Sequence, residues 1–335
     1  MTGTHKSLEY RGVDIVKFIM SFAVIAIHVP EYLYPEDRIH HPAINWFIRL
    51  AVPYFFICSG FLIQQKMNGQ TTCQHKSYLK SRASKLFRIW CIWLLIYLPL
   101  AVYGLHNTSG TISFKITQYL ESILLTGHSL YAQPLWFIYS MAIISLIWSF
   151  FVKDNNSISQ LCGLFVSFTG LTFFGWLISN HLIETSTYIV QLSTWAFGGG
   201  MPILGGAVLY NCIQSLKPIH RLVISISCFI ASIVFYSFNC PFWPFIGGTA
   251  LFLISIQCNP RSNLNYPVLR KESMWIYYIH MYIIIMMMII IRQFHLHISS
   301  LILYMTACLI TLGCSTALIR LSKQPGFHHI EELIR

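Results

Sequence analysis

Apolar runs of about twenty residues recur along the whole chain, and this feature most restricts the folds open to it. Twenty residues of helix rise roughly 30 Å, the thickness of the hydrocarbon core of a bilayer. Of the 335 residues, 55% are hydrophobic and 10% are charged, and the mean hydropathy is +0.60. A single soluble core cannot bury this much apolar surface. We therefore predict an all-α, polytopic protein that is integral to a membrane.

The runs predict about ten transmembrane helices in one membrane domain that covers residues 1–335. The predicted spans are residues 13–33, 44–65, 87–105, 135–152, 159–178, 193–212, 221–238, 243–258, 273–292 and 299–321. Residues 116–125, in the longest outer loop, also have a helical apolar pattern, which predicts a helix along the membrane surface.

The positions of lysine and arginine between the spans predict the orientation of the chain. Seventeen of the twenty-two lie in one alternating set of segments, and such residues are retained on the cytoplasmic side. Both termini are therefore expected in the cytoplasm. Because this topology accounts for the net charge of +11, we expect no nucleic-acid partner. The ten cysteines show neither a disulfide framework nor a metal-binding spacing, so no metal is expected.

The first span carries ionisable residues where they are costly. Asp14, Lys17 and His28 interrupt the run VDIVKFIMSFAVIAIHV, and an intramembrane ionisable residue indicates a functional site by default. Eleven residues make about three helical turns, so Lys17 and His28 share one face roughly 16 Å apart, with Asp14 close to the same face. This face predicts a polar path into the membrane, in which Asp14 is the ion partner of Lys17.

Six elements along the chain resemble the acyltransferase-3 family of integral membrane acyltransferases. They are Lys17 with ten residues before His28, VPYFFICSGFLI (52–63), YLKSRASKLFRI (78–89), LWFIYS (135–140), MPILGGAVLY (201–210) and SMWIYYIH (273–280). Lysine stands at 17 where arginine is commoner in the family, and the proline often found after the basic element is absent from RIWCIWLLIY.

The resemblance implies transfer of an acyl group, usually acetyl, from cytoplasmic acyl-coenzyme A (acyl-CoA) to a hydroxyl group. The acceptor is expected to be a cell-envelope glycan or a lipid-linked saccharide at the outer face. Acyl-CoA enters as the donor substrate, and no permanently bound cofactor is expected. The partners are then acyl-CoA, the acceptor and membrane lipid, and the expected location is the bacterial cytoplasmic membrane.

Coenzyme A is a polyanion, so a membrane enzyme that uses it needs cations at the cytoplasmic mouth of a narrow channel. Arg82, Lys85 and Arg88 recur every three residues and are expected to project from adjacent positions on one helix, with Lys17 further along the path. Alternatively, this basic stretch is ordinary positive-inside charge, and Lys17 reaches back to the cytoplasmic surface.

His28 is the candidate general base, since an imidazole titrates near neutral pH and can take the proton of an attacking hydroxyl group. An acyl-histidine intermediate is the less favoured route. His280 is next in line as the base. The alternative for either histidine is a structural hydrogen bond in the membrane.

Five residues are candidates for the substrate channel: Ser59, Trp136, Tyr277, His280 and Arg49. Ser59 and the adjacent Gly60 either stabilise an oxyanion or allow close helix packing. Trp136 belongs either to the aromatic belt at the membrane surface or to the channel wall. Arg49 lies in the outer half of the second span, where it faces His28 and the acceptor or extends to the interface.

Two other functions fit parts of the pattern. A secondary transporter or flippase for a polar solute also has many spans with buried lysine, aspartate, histidine and glycine, although such carriers often show two similar halves, which this sequence lacks. The membrane module of a serine-supplying racemase has a related membrane domain. No pyridoxal-dependent domain follows in this sequence, so we do not expect that role.

Overall fold

The computed structural model describes residues 10–32, 41–152, 157–180, 197–258 and 264–327, with residues 189, 192, 260, 331 and 333. Within these residues the chain is helical and has no strand, as predicted. The helices are α1 (Arg11–Tyr32), α2 (Pro42–Arg49), α3 (Ala51–Met67), α4 (Thr72–Asn107), α5 (Ile112–Thr126), α6 (Leu135–Phe151), α7 (Ser157–Ser179), α8 (Gly200–Ile213), α9 (Pro218–Ser237), α10 (Trp243–Gln257), α11 (Tyr266–Phe294) and α12 (Ser300–Leu321).

Among the described residues, seven helical segments are long and apolar enough to cross a membrane, and three shorter apolar helices accompany them. The long segments are α1, α2 with α3, α4, α7, α9, α11 and α12, and the shorter helices are α6, α8 and α10. Each lies on one of the ten predicted spans, although positions 193–196 of the span 193–212 lie outside the described residues. The exact number of spans and the orientation of the termini stay predictions. The helix expected within the longest outer loop is α5.

The longest helix, α4, joins the basic stretch and the third predicted span in one element. It runs for 36 residues, about 54 Å, and begins at a capping box in which Thr71 and Gln74 bond each other's backbone. The sequence predicted a span only from residue 87. The helix starts earlier because the polar segment after Thr71 has no glycine or proline to interrupt it. Cations and membrane span are therefore held in fixed register.

Helix α1 lies at the centre of the bundle. It packs against α11 most extensively and also contacts α2, α3, α10 and α12. Met20 and Ile25 on this helix are almost completely buried. The helix that carries Lys17 and His28 therefore packs against five other helices, while Ile19 on its remaining face is 49% exposed.

Two glycines bring α3 and α8 into backbone contact. A Cβ atom on Gly60 would lie 1.7 Å from the carbonyl oxygen of Ile203, and one on Gly206 would lie 2.2 Å from that of Ile57. No side chain fits at these distances, so the two glycines allow a close helix crossing. The packing interpretation of Gly60 is confirmed, and Gly206 serves the same crossing.

Candidate functional site

A cavity of about 310 Å³ lies between α1, α3, α4, α6 and α11, towards the end of the bundle where α1 begins. Four cationic side chains line it: Lys17, Arg82, Lys85 and Arg270. Three of them were candidates from the sequence, and Arg270 was not. Four cations at one small cavity form a site suited to a polyanion.

The charge of Arg270 is paired with Asp14. The guanidinium donates from Nε to Asp14 Oδ1 at 3.0 Å and from Nη2 to Oδ2 at 2.7 Å, and Asp14 is 4% exposed. The expected pairing of Asp14 with Lys17 was wrong. Asp14 contacts α11 instead because the start of α11 packs against the start of α1. The ammonium group of Lys17 is thus left to the cavity.

The basic stretch on α4 does not face the cavity as a whole. Arg82 and Lys85 line it, whereas Arg88 is exposed. A step of three residues turns the helix by about 300°, so each step falls roughly 60° short of a full turn and Arg88 lies some 120° from Arg82. Arg82 Nε is buried and, among the described residues, has no hydrogen-bond partner. Arg82 also bonds Tyr78, and its side chain lines the cavity, where its positive charge can attract a bound anion.

His28 lies near the other end of α1 and is held by a carboxylate. Its Nδ1 atom is 3.0 Å from Glu31 Oε2, one turn further along the helix, and its side chain is 14% exposed. A carboxylate on Nδ1 fixes that proton there and leaves Nε2 as a basic nitrogen. Glu31 was not among the candidates from the sequence, although its spacing of three residues from His28 was a visible signal.

His280 of α11 lies directly beside His28, with ring centroids 5.5 Å apart. It is fully buried, and its Nδ1 contacts the backbone carbonyls of Ile276 at 3.1 Å and Tyr277 at 2.7 Å. Carbonyl oxygens only accept hydrogen bonds, so the proton is on Nδ1. Its Nε2 has no hydrogen-bond partner among the described residues. The structural bond foreseen for His280 thus occupies one ring nitrogen and leaves the other open.

A third histidine, His128, reaches the same region from the loop between α5 and α6. Burial lowers the pKa of His128 to about 4, while the Glu31 carboxylate opposes this shift and His28 adds to it. The loop is fixed where Gly127 adopts a left-handed conformation (φ +73°) and its carbonyl accepts a hydrogen bond from Trp90 Nε1 at 3.1 Å. His128 is therefore neutral at physiological pH. A lone loop histidine gave no signal in the sequence.

Tyr277 connects the cavity with the histidines. It lines the cavity, and its ring centroid is 6.2 Å from that of His280. Its hydroxyl group donates to the carbonyl oxygen of Pro134. His28 does not line the cavity, whereas Tyr277 does and lies beside His280, the neighbour of His28.

A family model described as an acyltransferase domain matches residues 10–320, which include the whole cavity and the three histidines. The chain belongs to the acyltransferase-3 family. The resemblance drawn from six motifs is thereby confirmed.

Curated relatives of this acyltransferase-3 protein have racemase names. The serine/alanine racemase of Enterococcus gallinarum is 23% identical over 96% of this chain and 47% of its own length. The amino-acid racemase of Enterococcus faecalis is 29% identical over 36% of this chain and 15% of its own length. The chain thus spans less than half the length of the curated relatives it matches. No solved structure matches it.

Within the acyltransferase-3 bundle, the remaining candidates from the sequence separate into two groups. Ser59 lines the cavity and donates its hydroxyl proton to the carbonyl of Phe55 at 2.9 Å. Trp136 packs against Phe56 with ring centroids 5.5 Å apart, outside the cavity lining. Arg49 is exposed and lines a different cleft.

Proposed function

We propose that this acyltransferase moves an acyl group, most simply acetyl, from cytoplasmic acyl-CoA to a hydroxyl group of a cell-envelope glycan or lipid-linked saccharide. One observation carries the proposal. The central helix α1 presents Lys17 to a cationic cavity near one end and a histidine–carboxylate pair near the other.

The cavity has the charge that the donor requires. Asp14 neutralises Arg270, so Lys17 and Arg82, with Lys85 beside them, are the cations proposed to meet the phosphates of CoA. A volume of about 310 Å³ is at the lower end for ligand sites, which range from roughly 300 to 1,000 Å³. Such a space suits the thin pantetheine arm, with the phosphates at its cationic mouth.

His28 is the general base in this proposal. Glu31 holds Nδ1, and Nε2 takes the proton of the acceptor hydroxyl group while that oxygen attacks the thioester carbonyl. The tetrahedral intermediate collapses by breaking the C–S bond, and the CoA thiolate recovers the proton from His28. The products are the acyl ester and free CoA. A positioned base of this kind contributes roughly 10²- to 10⁴-fold to the rate.

The two histidines and Tyr277 would define the reaction space. In this proposal the thioester reaches His28 past the ring of Tyr277, which lines the cavity and lies 6.2 Å from His280. The buried Nε2 of His280 is a second polar contact for the reacting groups. The protein is then a multi-pass enzyme of the bacterial cytoplasmic membrane, with the cationic cavity open to the cytoplasm.

The test is acyl transfer by the purified protein in proteoliposomes, with [14C]acetyl-CoA and a bacterial envelope fraction as acceptor. We expect release of CoA and labelled acceptor with the wild-type chain, and loss of both with His28→Ala. His75→Ala is the matched control, because His75 bonds the carbonyl of Met67 at 2.6 Å, outside the cavity lining.

Two results would contradict the proposal. Transfer retained in His28→Ala would place the base elsewhere, with His280 next in line. If the wild-type protein neither consumes acetyl-CoA nor labels any envelope fraction, the result would favour the alternative of a secondary transporter or flippase.

A further inference from the structure

A second, larger cleft opens on the opposite side of α2 from α1. It has a volume of about 860 Å³ and is formed by α2, the end of α9 and the start of α10. We call it the α2 cleft. The proposed acyl transfer uses none of its residues.

Arg49 is the charged residue that lines the α2 cleft, and the Nε edge of its guanidinium group is hydrogen-bonded. Its Nε donates to Asn45 Oδ1 at 2.9 Å, and Asn45 Nδ2 donates to the hydroxyl oxygen of Tyr236 at 3.1 Å. The ion pairs found among the described residues do not include Arg49. Among the described residues no hydrogen bond or ion pair is found for its two terminal nitrogens, which can bind an anion in bidentate fashion.

The aromatic wall of the α2 cleft is rigid. Trp46 donates from Nε1 to Ser232 Oγ at 3.1 Å, and Ser232 donates to the carbonyl of Trp243 at 2.8 Å. The rings of Trp243 and Tyr236 pack edge to face, with centroids 4.9 Å apart. Both tryptophans are 8% exposed, so only their edges line the cleft. The wall needs no rearrangement to receive a ligand, which lowers the cost of binding.

The last polar group comes from the turn between α9 and α10. Asn239 adopts a left-handed conformation (φ +52°), which asparagine tolerates better than most residues, and its amide lines the cleft. A guanidinium, two amides and aromatic edges form a site for an anionic group attached to a polar ring or short chain.

We propose that the α2 cleft binds an oxyanion, a phosphate or carboxylate group, through the terminal nitrogens of Arg49. Two sources carry this chemistry: the head group of a membrane lipid and a charged saccharide. The proposal does not depend on acyl transfer, because α2 separates the cleft from α1 and its test measures binding.

The experiment is calorimetric titration of the full chain in maltoside micelles, whose head groups are uncharged. Glucuronate is the saccharide probe, with glucose as its uncharged match, and glycerol 3-phosphate is the head-group probe, with glycerol as its match. We expect saturable binding of at least one charged probe and weaker binding of its match. The probe that binds more tightly identifies the source.

Variants assign the site. Arg49→Gln should weaken the binding of the charged probe by about tenfold or more, the size expected for a charge-assisted bidentate contact. Arg49→Lys, which keeps the charge but loses the paired donors, should weaken it by about threefold or more. Arg292→Gln is the control, because Arg292 is exposed near the end of α11 and does not line the cleft. The absence of saturable binding by both charged probes, or equal binding by the wild type and Arg49→Gln, would overturn the proposal.

Discussion

The loss of acetyl-CoA affinity can be predicted for variants of the cationic cavity, because α4 carries basic residues both inside and outside this cavity. Arg82 lines the cavity with a buried Nε that no described residue bonds, whereas Arg88 is exposed on the same helix. A hydrogen bond to a charged group contributes about 1.5–3 kcal/mol. Since 1.4 kcal/mol is a factor of ten, Arg82→Gln should weaken the binding of acetyl-CoA by roughly 10- to 150-fold.

Lys85→Gln should weaken binding less, because Lys85 is the more exposed of the two cavity cations on α4. Arg88→Gln should change the dissociation constant by no more than about twofold, as is usual for an exposed charge. The assay is calorimetric titration of the detergent-purified variants with CoA and acetyl-CoA at fixed ionic strength, since salt screens such contacts. Equal losses of affinity in all three variants would show that the α4 charges act only through the overall electrostatic potential of the protein. No loss at Arg82 would refute the assignment of the cavity to the donor.

Three further predictions concern other parts of the structure. Burial lowers the pKa of His128 to about 4, so between pH 6.5 and 4 the unfolded state binds a proton that the folded state does not, and stability falls as the pH falls. The variant His128→Gln should therefore lose less thermal stability than the wild type between pH 7 and 4.5. An unchanged loss would contradict this. Gly60→Ala would put a Cβ atom 1.7 Å from the carbonyl oxygen of Ile203 and should lower the melting temperature. The control Gly163→Ala, with nothing within 4 Å of its Cβ position, should not lower it. Equal melting temperatures of the two variants would contradict the close crossing. Glu31→Gln should reduce kcat by about tenfold or more in the acetyl-CoA assay, with little change in KM for the donor. The reason is that His28 loses the carboxylate that orients it, while the cavity is unchanged. A change confined to KM would refute the orienting role of Glu31.

Most of the fold could be predicted from the sequence, because the length of an apolar run directly determines whether a helix can span a bilayer. Each predicted span coincides with a long or short apolar helix. The start of α4 was missed because its polar residues carry no hydropathy signal, although Thr71 and Gln74 form a recognisable capping box.

The candidate site could be predicted only in part. Lys17 and His28 stand out because ionisable residues inside a membrane are costly, and the residues of α4 follow from the resemblance. The pairing of Asp14 with Arg270 depends on which helices pack together, across 256 positions of sequence, and spacing along one helix cannot reveal it. His128 enters the site through the path of a loop, which has no periodicity to read.

The most direct test of the account is a cryo-EM structure with a non-hydrolysable thioether analogue of acetyl-CoA. The phosphates should lie against Arg82 and Lys85, with the acyl carbon beyond Tyr277. That carbon should lie close enough to His28 for a hydroxyl group held by the base to approach it within roughly 3.5 Å. An analogue bound outside the cavity, or bound within it with the acyl end directed away from Tyr277, would contradict the account.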